Sequence, residues 1–186
     1  EDQMTEHFYE KDIASANASL EAAGFKDLDG DGWREYDKNG NGVWDPGIDL
    51  DTDDFDIEMM ASAGYDPAIK AVLVAIEGME ECGIKGHLAE LQFDALIDRL
   101  EQGTFDLGCF SWNINPPGDP DLLYDFFRTG QGYNEFFYRF HNATYDEMAD
   151  HMMNATTYED AKYYAWECQK ILLEQMPMVT CYNDAY

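Results

Sequence analysis

Between Phe55 and Trp112 the chain switches hydrophobic period four times, and that alternation limits the folds open to it. "FDIEMMAS" (residues 55–62) reads as a strand, with Phe55, Ile57 and Met59 alternating with polar partners at first. A helix then starts at Asp66-Pro67, a capping carboxylate followed by proline at the first helical position, and runs to Cys82-Gly83. Ile69, Val72, Leu73 and Ile76 form its inward face. "IKGHLAEL" (84–91) is a second strand, and "FDALIDRLEQG" (93–103) a helix closed by Gly103. "FDLGCFSW" (105–112) is a third strand, nearly continuous in apolar character and therefore expected at the centre of the sheet. Strand, helix, strand, helix, strand requires crossover connections and a mostly parallel sheet, an α/β fold.

The flanking segments fit one domain over residues 1–186. Residues 8 to 23 read as a helix with Ile13, Ala16, Leu20 and Ala23 on one face, ended by Gly24. After Trp112 come the loop "NINPPGDPD", a short helix near Leu122 to Phe127, and the helices "TYDEMADHMM" and "TYEDAKYYAWECQKILLEQ". Pro177 stops the last helix, and "MVTCY" reads as a final strand.

The charge is extreme, with 39 Asp plus Glu against 11 Lys plus Arg. A net charge of -28 repels phosphate backbones and excludes nucleic-acid binding. No apolar run reaches the length of a membrane span, and Glu1 opens directly into polar sequence with no signal peptide. Cys82, Cys109, Cys168 and Cys181 lack metal-binding spacing and read as two disulfides or as buried free thiols. Asn17-Ala-Ser, Asn142-Ala-Thr and Asn154-Ala-Thr are N-x-[ST] sequons, which point to export. No nucleophile elbow, Cys-His signature, HExxH motif, P-loop or dinucleotide fingerprint is present, so the chain does not read as an enzyme.

Acid concentrates in an insertion at residues 27–54, where "DLDGDGWREYDKNGNGVWD" holds one pattern twice. Asp27, Asp29, Asp31, Gly32 and Glu35 align with Asp37, Asn39, Asn41, Gly42 and Asp45. An EF-hand needs a bidentate acid at loop position 12, but Lys38 and Ile48 stand there, and Pro46-Gly47 replaces the exit helix. Two readings remain: a structural Ca2+ held by Asp27, Asp29, Asp31, Glu35, Asp37, Asn39, Asn41 and Asp45, or an Asp/Asn/Gly turn projecting solvated carboxylates. No other cofactor is expected. Trp112 lies where an α/β sheet presents ligands, at a strand's carboxyl end beside Asn113, Asn115 and Asp119, with aromatic residues following through Phe140. The candidate ligand contacts are Trp112, Asn113, Asn115 and Asp119, joined by Asn134 and Tyr138.

Five segments together resemble the C-terminal lobe of family 5 extracellular solute-binding proteins, the dipeptide- and oligopeptide-binding class of ABC importers. They are "ASLEAAGFKDLDGDGWRE", "DPAIKAVLVAIEGMEECGIKGHLAEL", "FDALIDRLEQGTFDLGCFSWNINPPGDPDLLYDFFRTG", "NEFFYRFHNATYDEMAD" and "QKILLEQMPMVTCY". The resemblance implies one lobe of a two-lobed periplasmic-binding-protein-like fold, a mixed, mostly parallel sheet flanked by helices. It further implies non-catalytic capture of a peptide or other small solute between two lobes and delivery to an ABC permease. The full-length protein would be periplasmic or membrane-anchored, with its secretion signal or lipid anchor upstream of Glu1. In peptide-binding members an aspartate three residues after the strand-end Trp pairs with the peptide's N-terminus; here that position is Asn115, and Pro116-Pro117 lengthens the loop. A neutral amide cannot supply that ion pair, so the ligand is expected to differ from a peptide with a free N-terminus. The alternative reading is a calcium-dependent cell-surface adhesion or scaffold module.

Overall fold

The computed structural model describes residues 10–50, 56–112 and 120–181. They fall into two compact units: a sheet unit of Glu10–Arg99 and Thr104–Ser111, and a helical unit of Leu100–Gly103 and the chain from Trp112 onward.

In the sheet unit, α1 (Ile13–Ala22) begins at Asp12, whose carboxylate accepts the Ser15 amide at 3.0 Å. Its face of Ile13, Ala16 and Leu20 is only half covered, and residues 10–12 are not helical. β1 (Phe25–Lys26) and β2 (Glu35–Tyr36) form an antiparallel ladder that frames the first acidic loop. β3 (Ile57–Ser62) pairs in parallel with β4 (Gly86–Leu91) on one side and β5 (Leu107–Cys109) on the other. The parallel sheet is as the alternation requires, but the order β4-β3-β5 makes β3 its centre. The expectation of a central β5 fails because its apolar run is not buried: Leu107 and Gly108 are exposed at an edge. Position instead follows burial of the Met60-Ala61 pair in β3, which also replaces the simple alternation expected there.

α2 (Asp66–Glu80) covers the sheet with Ala68, Val72 and Ile76 buried against Ala61. Leu73, expected inside, is half exposed, and Tyr65 rather than Asp66 occupies the cap position. Fully burying a side chain the size of Val72 or Ile76 contributes about 1.5–3 kcal/mol, so this stripe anchors the unit. α2 ends in a Schellman motif, with Ile84 N donating to Met79 O and Gly83 N to Glu80 O. Gly83 sits at φ +73, and a Cβ there would press on Gly32 O at 3.0 Å. α3 (Phe93–Gln102) buries Leu96 and Leu100 one turn apart and closes the same way, Thr104 N donating to Arg99 O and Gly103 N to Leu100 O.

The helical unit comprises α4 (Asp121–Phe127), a π-helical turn (Asn134–Tyr138), α5 (Ala143–Met153) and α6 (Tyr158–Gln175). Its core joins Phe126, Phe127, Phe140, Tyr145, Ala149 and Cys168. The Tyr145 hydroxyl donates to Leu123 O at 2.6 Å, and burial drives its pKa well above the ordinary phenol range. The expected final strand is not formed: Met178–Cys181 are exposed and have no strand partner among the described residues. All four cysteines are free thiols; Cys82 and Cys168 are buried, while Cys181, expected inside a strand, is exposed. Among the described residues, no helix is long and apolar enough to cross a membrane.

Candidate functional site

Trp112 follows β5 and is gripped by rings from the segment beyond the loop. Phe126 lies 5.1 Å away by centroid, and Tyr133 and Phe137 meet it edge-on at 5.2 and 5.5 Å. Such edge and tilted pairs add about 0.5–1.5 kcal/mol beyond area burial, so the indole is held in one orientation. Tyr133 and Phe136 stay half exposed, and with Asp125, Gln131 and Gly132 they line a shallow hollow of about 350 Å³. That volume is at the small end of ligand-sized cavities. One carboxylate and no basic group line it, which favours neutral or cationic groups.

The turn that carries these rings is tied down by charge. Arg128 forks onto Asp150 at 3.2 and 3.1 Å, and Thr129 N donates to Asp146 Oδ1 at 2.9 Å. The Arg128 guanidinium holds the Asp150 carboxyl below the usual carboxylate range. Gly130 N donates to Glu135 Oε1 at 2.8 Å, closing the turn onto the π-helical segment.

Of the candidate ligand contacts, Trp112, Asn134 and Tyr138 are among the described residues. Asn113, Asn115 and Asp119 lie outside the described residues. Asn134 is fully buried and spends its amide on the backbone: Nδ2 donates to Phe140 O at 2.7 Å, and Phe140 N donates to Oδ1 at 2.9 Å. That clasp bridges the π-helical turn and Arg139, whose left-handed backbone (φ 49) ends it. The Tyr138 ring packs on Phe127 at 4.7 Å and its hydroxyl donates to Met178 Sδ at 3.6 Å. Burial raises the Tyr138 pKa, and a hydrogen bond with the Trp112 side chain opposes the rise. The hollow's Asp125, Gln131 and Phe136 were not expected from sequence, because their approach depends on the π-helical turn.

The acidic repeat folds as two loops of different chemistry. In the first, Asp27 accepts the amides of Gly30 and Gly32, Asp29 that of Asp31, and Asp31 that of Trp33. Carboxylate oxygens of Asp27, Asp29 and Glu35 come within 4.8 Å of one another. Glu35 is buried, and desolvation, reinforced by the charges of Asp29 and Asp31, raises its pKa. In the second loop, amides stand where those aspartates stood. Asn39 and Asn41 both donate through Nδ2 to Asp45 Oδ2, at 2.8 and 2.7 Å. Asp37 is paired with Lys26 at 3.0 Å, and despite the opposing cost of burial this pairing lowers its pKa. Asp49, absent from the candidate set, accepts the amides of Lys38 and Asp45 and pins the second loop. The eight candidate ligands therefore do not converge; three do.

Arg34 fastens the first loop to α2. Its guanidinium donates to Cys82 O, Phe25 O and Asn17 Oδ1 at 2.7, 2.8 and 3.1 Å, and its own backbone N donates to Gly83 O at 2.9 Å. The "DGDGWRE" segment is thus a structural joint.

The family model described as bacterial extracellular solute-binding proteins, family 5 Middle, matches residues 1–134. A search of curated protein sequences finds no match. Among solved structures, the chain is similar to the periplasmic binding protein MelB from Agrobacterium fabrum in complex with stachyose. The TM-score is 0.72 at 17% identity, over 91% of this chain and 25% of that one. It is also similar to NikA from Brucella suis in complex with Fe(III)-EDTA, with a TM-score of 0.67 at 15% identity over 88% and 30%. The oligopeptide-binding protein AppA from Bacillus subtilis, in complex with a nonapeptide, gives 0.66 at 20% identity over 91% and 32%. The chain therefore spans between a quarter and a third of these three proteins.

Proposed function

Because the chain belongs to family 5 of the bacterial extracellular solute-binding proteins, we propose that it forms one wall of a ligand cleft, as the C-terminal lobe of a longer non-catalytic capture protein serving an ABC-type importer. The fold supports this reading: a parallel sheet flanked by helices, like the two-lobed binding proteins it matches. The observation that carries it is the placement of Trp112. A half-buried indole just beyond a strand's carboxyl end, braced by three rings beside a hollow, suits a rigid platform for a solute. One wall alone binds weakly, and affinity rises when a second lobe closes over the solute. The full protein would work outside the cytoplasm, beside its permease, with an anchor upstream of this segment.

The ligand is a small solute other than a peptide with a free N-terminus. Asn115 offers no charge to a buried ammonium, and the related folds hold a sugar, a metal chelate and a peptide in turn. The test is to purify the full-length protein from its own cells, denature it and identify the released solute by mass spectrometry. Thermal-shift titration with di- and oligopeptides completes it. A stoichiometric non-peptide solute is expected; micromolar binding of simple peptides would overturn the ligand assignment.

A structural cation in the first acidic loop is a second proposal. Asp27, Asp29 and Glu35 crowd together where the equivalent positions of the second loop hold Asp37, Asn39 and Asp45, with the Asn39 amide donating to Asp45, and a cation would relieve that repulsion without protonation. Asp27, Asp29 and Glu35 would hold Ca2+, with Asp31 beside them. Capture in this family generally needs no cofactor, so the ion would serve the fold alone. Calcium should raise the melting temperature at constant ionic strength, and chelator should reverse the rise; no shift would overturn the site.

A further inference from the structure

We propose that Asn142 and Asn154 are N-glycosylation sites and that the third sequon, Asn17, is not; the inference rests on the reading that the chain is exported. The three sequons are identical in pattern but differ in presentation. Transfer forms a bond between Asn Nδ2 and the anomeric carbon of a sugar and breaks that carbon's bond to phosphate. Nδ2 loses one proton and a polyisoprenyl phosphate leaves, so the donor class is a lipid-phosphate-linked oligosaccharide. The enzyme must reach Nδ2 and the hydroxyl two residues on together.

Asn142 caps α5 from extended backbone (φ -145, ψ 112). Its Oδ1 accepts the amides of Thr144 and Tyr145 at 2.9 and 3.0 Å, an Asx-turn that draws the carboxamide toward Thr144. The bonds engage Oδ1, not the Nδ2 that would take the sugar, and Thr144 is exposed. Asn154 ends α5 in the exposed turn before α6, and Thr156 is exposed too. Asn154 Nδ2 donates to Asp150 O at 2.7 Å, and a glycosylated amide keeps one N–H for that bond. Asn17 instead lies inside α1, where positions i and i+2 diverge around the helix, so its carboxamide and the Ser19 hydroxyl face apart. The Asn17 Oδ1 is also held by Arg34, within the joint that fastens the acidic loop.

Glycopeptide mass spectrometry on the full-length protein from its own cells tests this. A membrane-impermeant label applied to intact cells reports export separately. The expected result is a labelled protein with glycan on the Asn142 and Asn154 peptides and a bare Asn17 peptide. Thr144→Ala and Thr156→Ala should each remove one glycan-mass step and the serine variants should keep it. None of these touches the Asn142 cap or the Thr157 cap of α6, so the fold is preserved. A labelled protein bare at Asn142 and Asn154, or glycosylated at Asn17, overturns the site assignment while export stands. An unlabelled, unmodified protein overturns both.

Discussion

Asn134 is expected to act through the fold, and Asn134→Ala measures how much. The substitution removes two hydrogen bonds and leaves Phe140 N–H and C=O, both buried, without the Asn134 amide. Each orphaned buried group costs about 1–3 kcal/mol, so the loss should be about 2–6 kcal/mol. With a urea m-value of about 1–3 kcal/mol per molar, the unfolding midpoint should fall by about 1 M or more. Asn134→Asp sharpens the reasoning. It keeps an acceptor for Phe140 N but sets a carboxylate oxygen against Phe140 O, so burial and repulsion raise its folded pKa. That penalty is absent below the unfolded carboxyl value of about 4 and grows as pH rises through the folded one. The Asp variant should therefore be unstable at neutral pH and recover on acidification, whereas the Ala variant should not. Circular dichroism during urea titration reads both. An Ala unfolding free energy within about 0.5 kcal/mol of the parent's, or no acid recovery of the Asp variant, would refute the clasp.

Other outcomes follow from the same structure. Replacing Asp29 and Asp31 together with Asn gives the first loop the amides of the second. In cation-free buffer that variant should be more stable at neutral pH, because it relieves the ionised Glu35 whose pKa is raised. The advantage should shrink as pH falls through the raised folded pKa of Glu35 and be gone below its unfolded value of about 4, and any calcium-dependent melting shift should disappear. A gain that persists in acid would contradict this. Asp150→Asn should destabilise the helical unit at neutral pH through loss of the Arg128 fork. Because Asp150 has a lowered folded pKa, the difference from the parent should close as pH falls through that value, which acid-urea titration can follow. The Cys168 thiol is buried and pushed up to about 12, whereas Cys181 is exposed. In the native protein at mildly alkaline pH an alkylating reagent should label Cys181 first and Cys168 only after unfolding; equal rates by peptide mapping would contradict the core.

What the sequence announced and what it hid divide along local and non-local physics. The α/β alternation and the helix stops at Gly83 and Gly103 were readable because a Schellman ending depends on a few adjacent residues. Strand order was not, since an apolar run such as "FDLGCFSW" says nothing about which side of β3 a crossover returns to. "MVTCY" has strand propensity, but propensity forms no ladder without a partner. The contrast between the two acidic loops was visible in Asn39 and Asn41 against Asp29 and Asp31; the role of Asp49 was not, because it acts from beyond the repeat. Trp112 was legible as a strand-end aromatic. The hollow beside it needed the π-helical turn, and nothing in "YNEFFYRF" marks a π-helical rather than an α-helical turn.

The central claim is that the Trp112 platform faces the captured solute. Isothermal titration of the full-length protein with the solute it carries from the cell tests it most directly, comparing the parent with Trp112→Ala and Trp112→Phe. Trp166→Ala serves as control, because Trp166 sits on α6 beneath Lys162. The account predicts that Trp112→Ala weakens binding by about tenfold or more, the mark of an aromatic anchor, while Trp112→Phe loses less and Trp166→Ala leaves affinity unchanged. Unchanged affinity in a folded Trp112→Ala protein would contradict it.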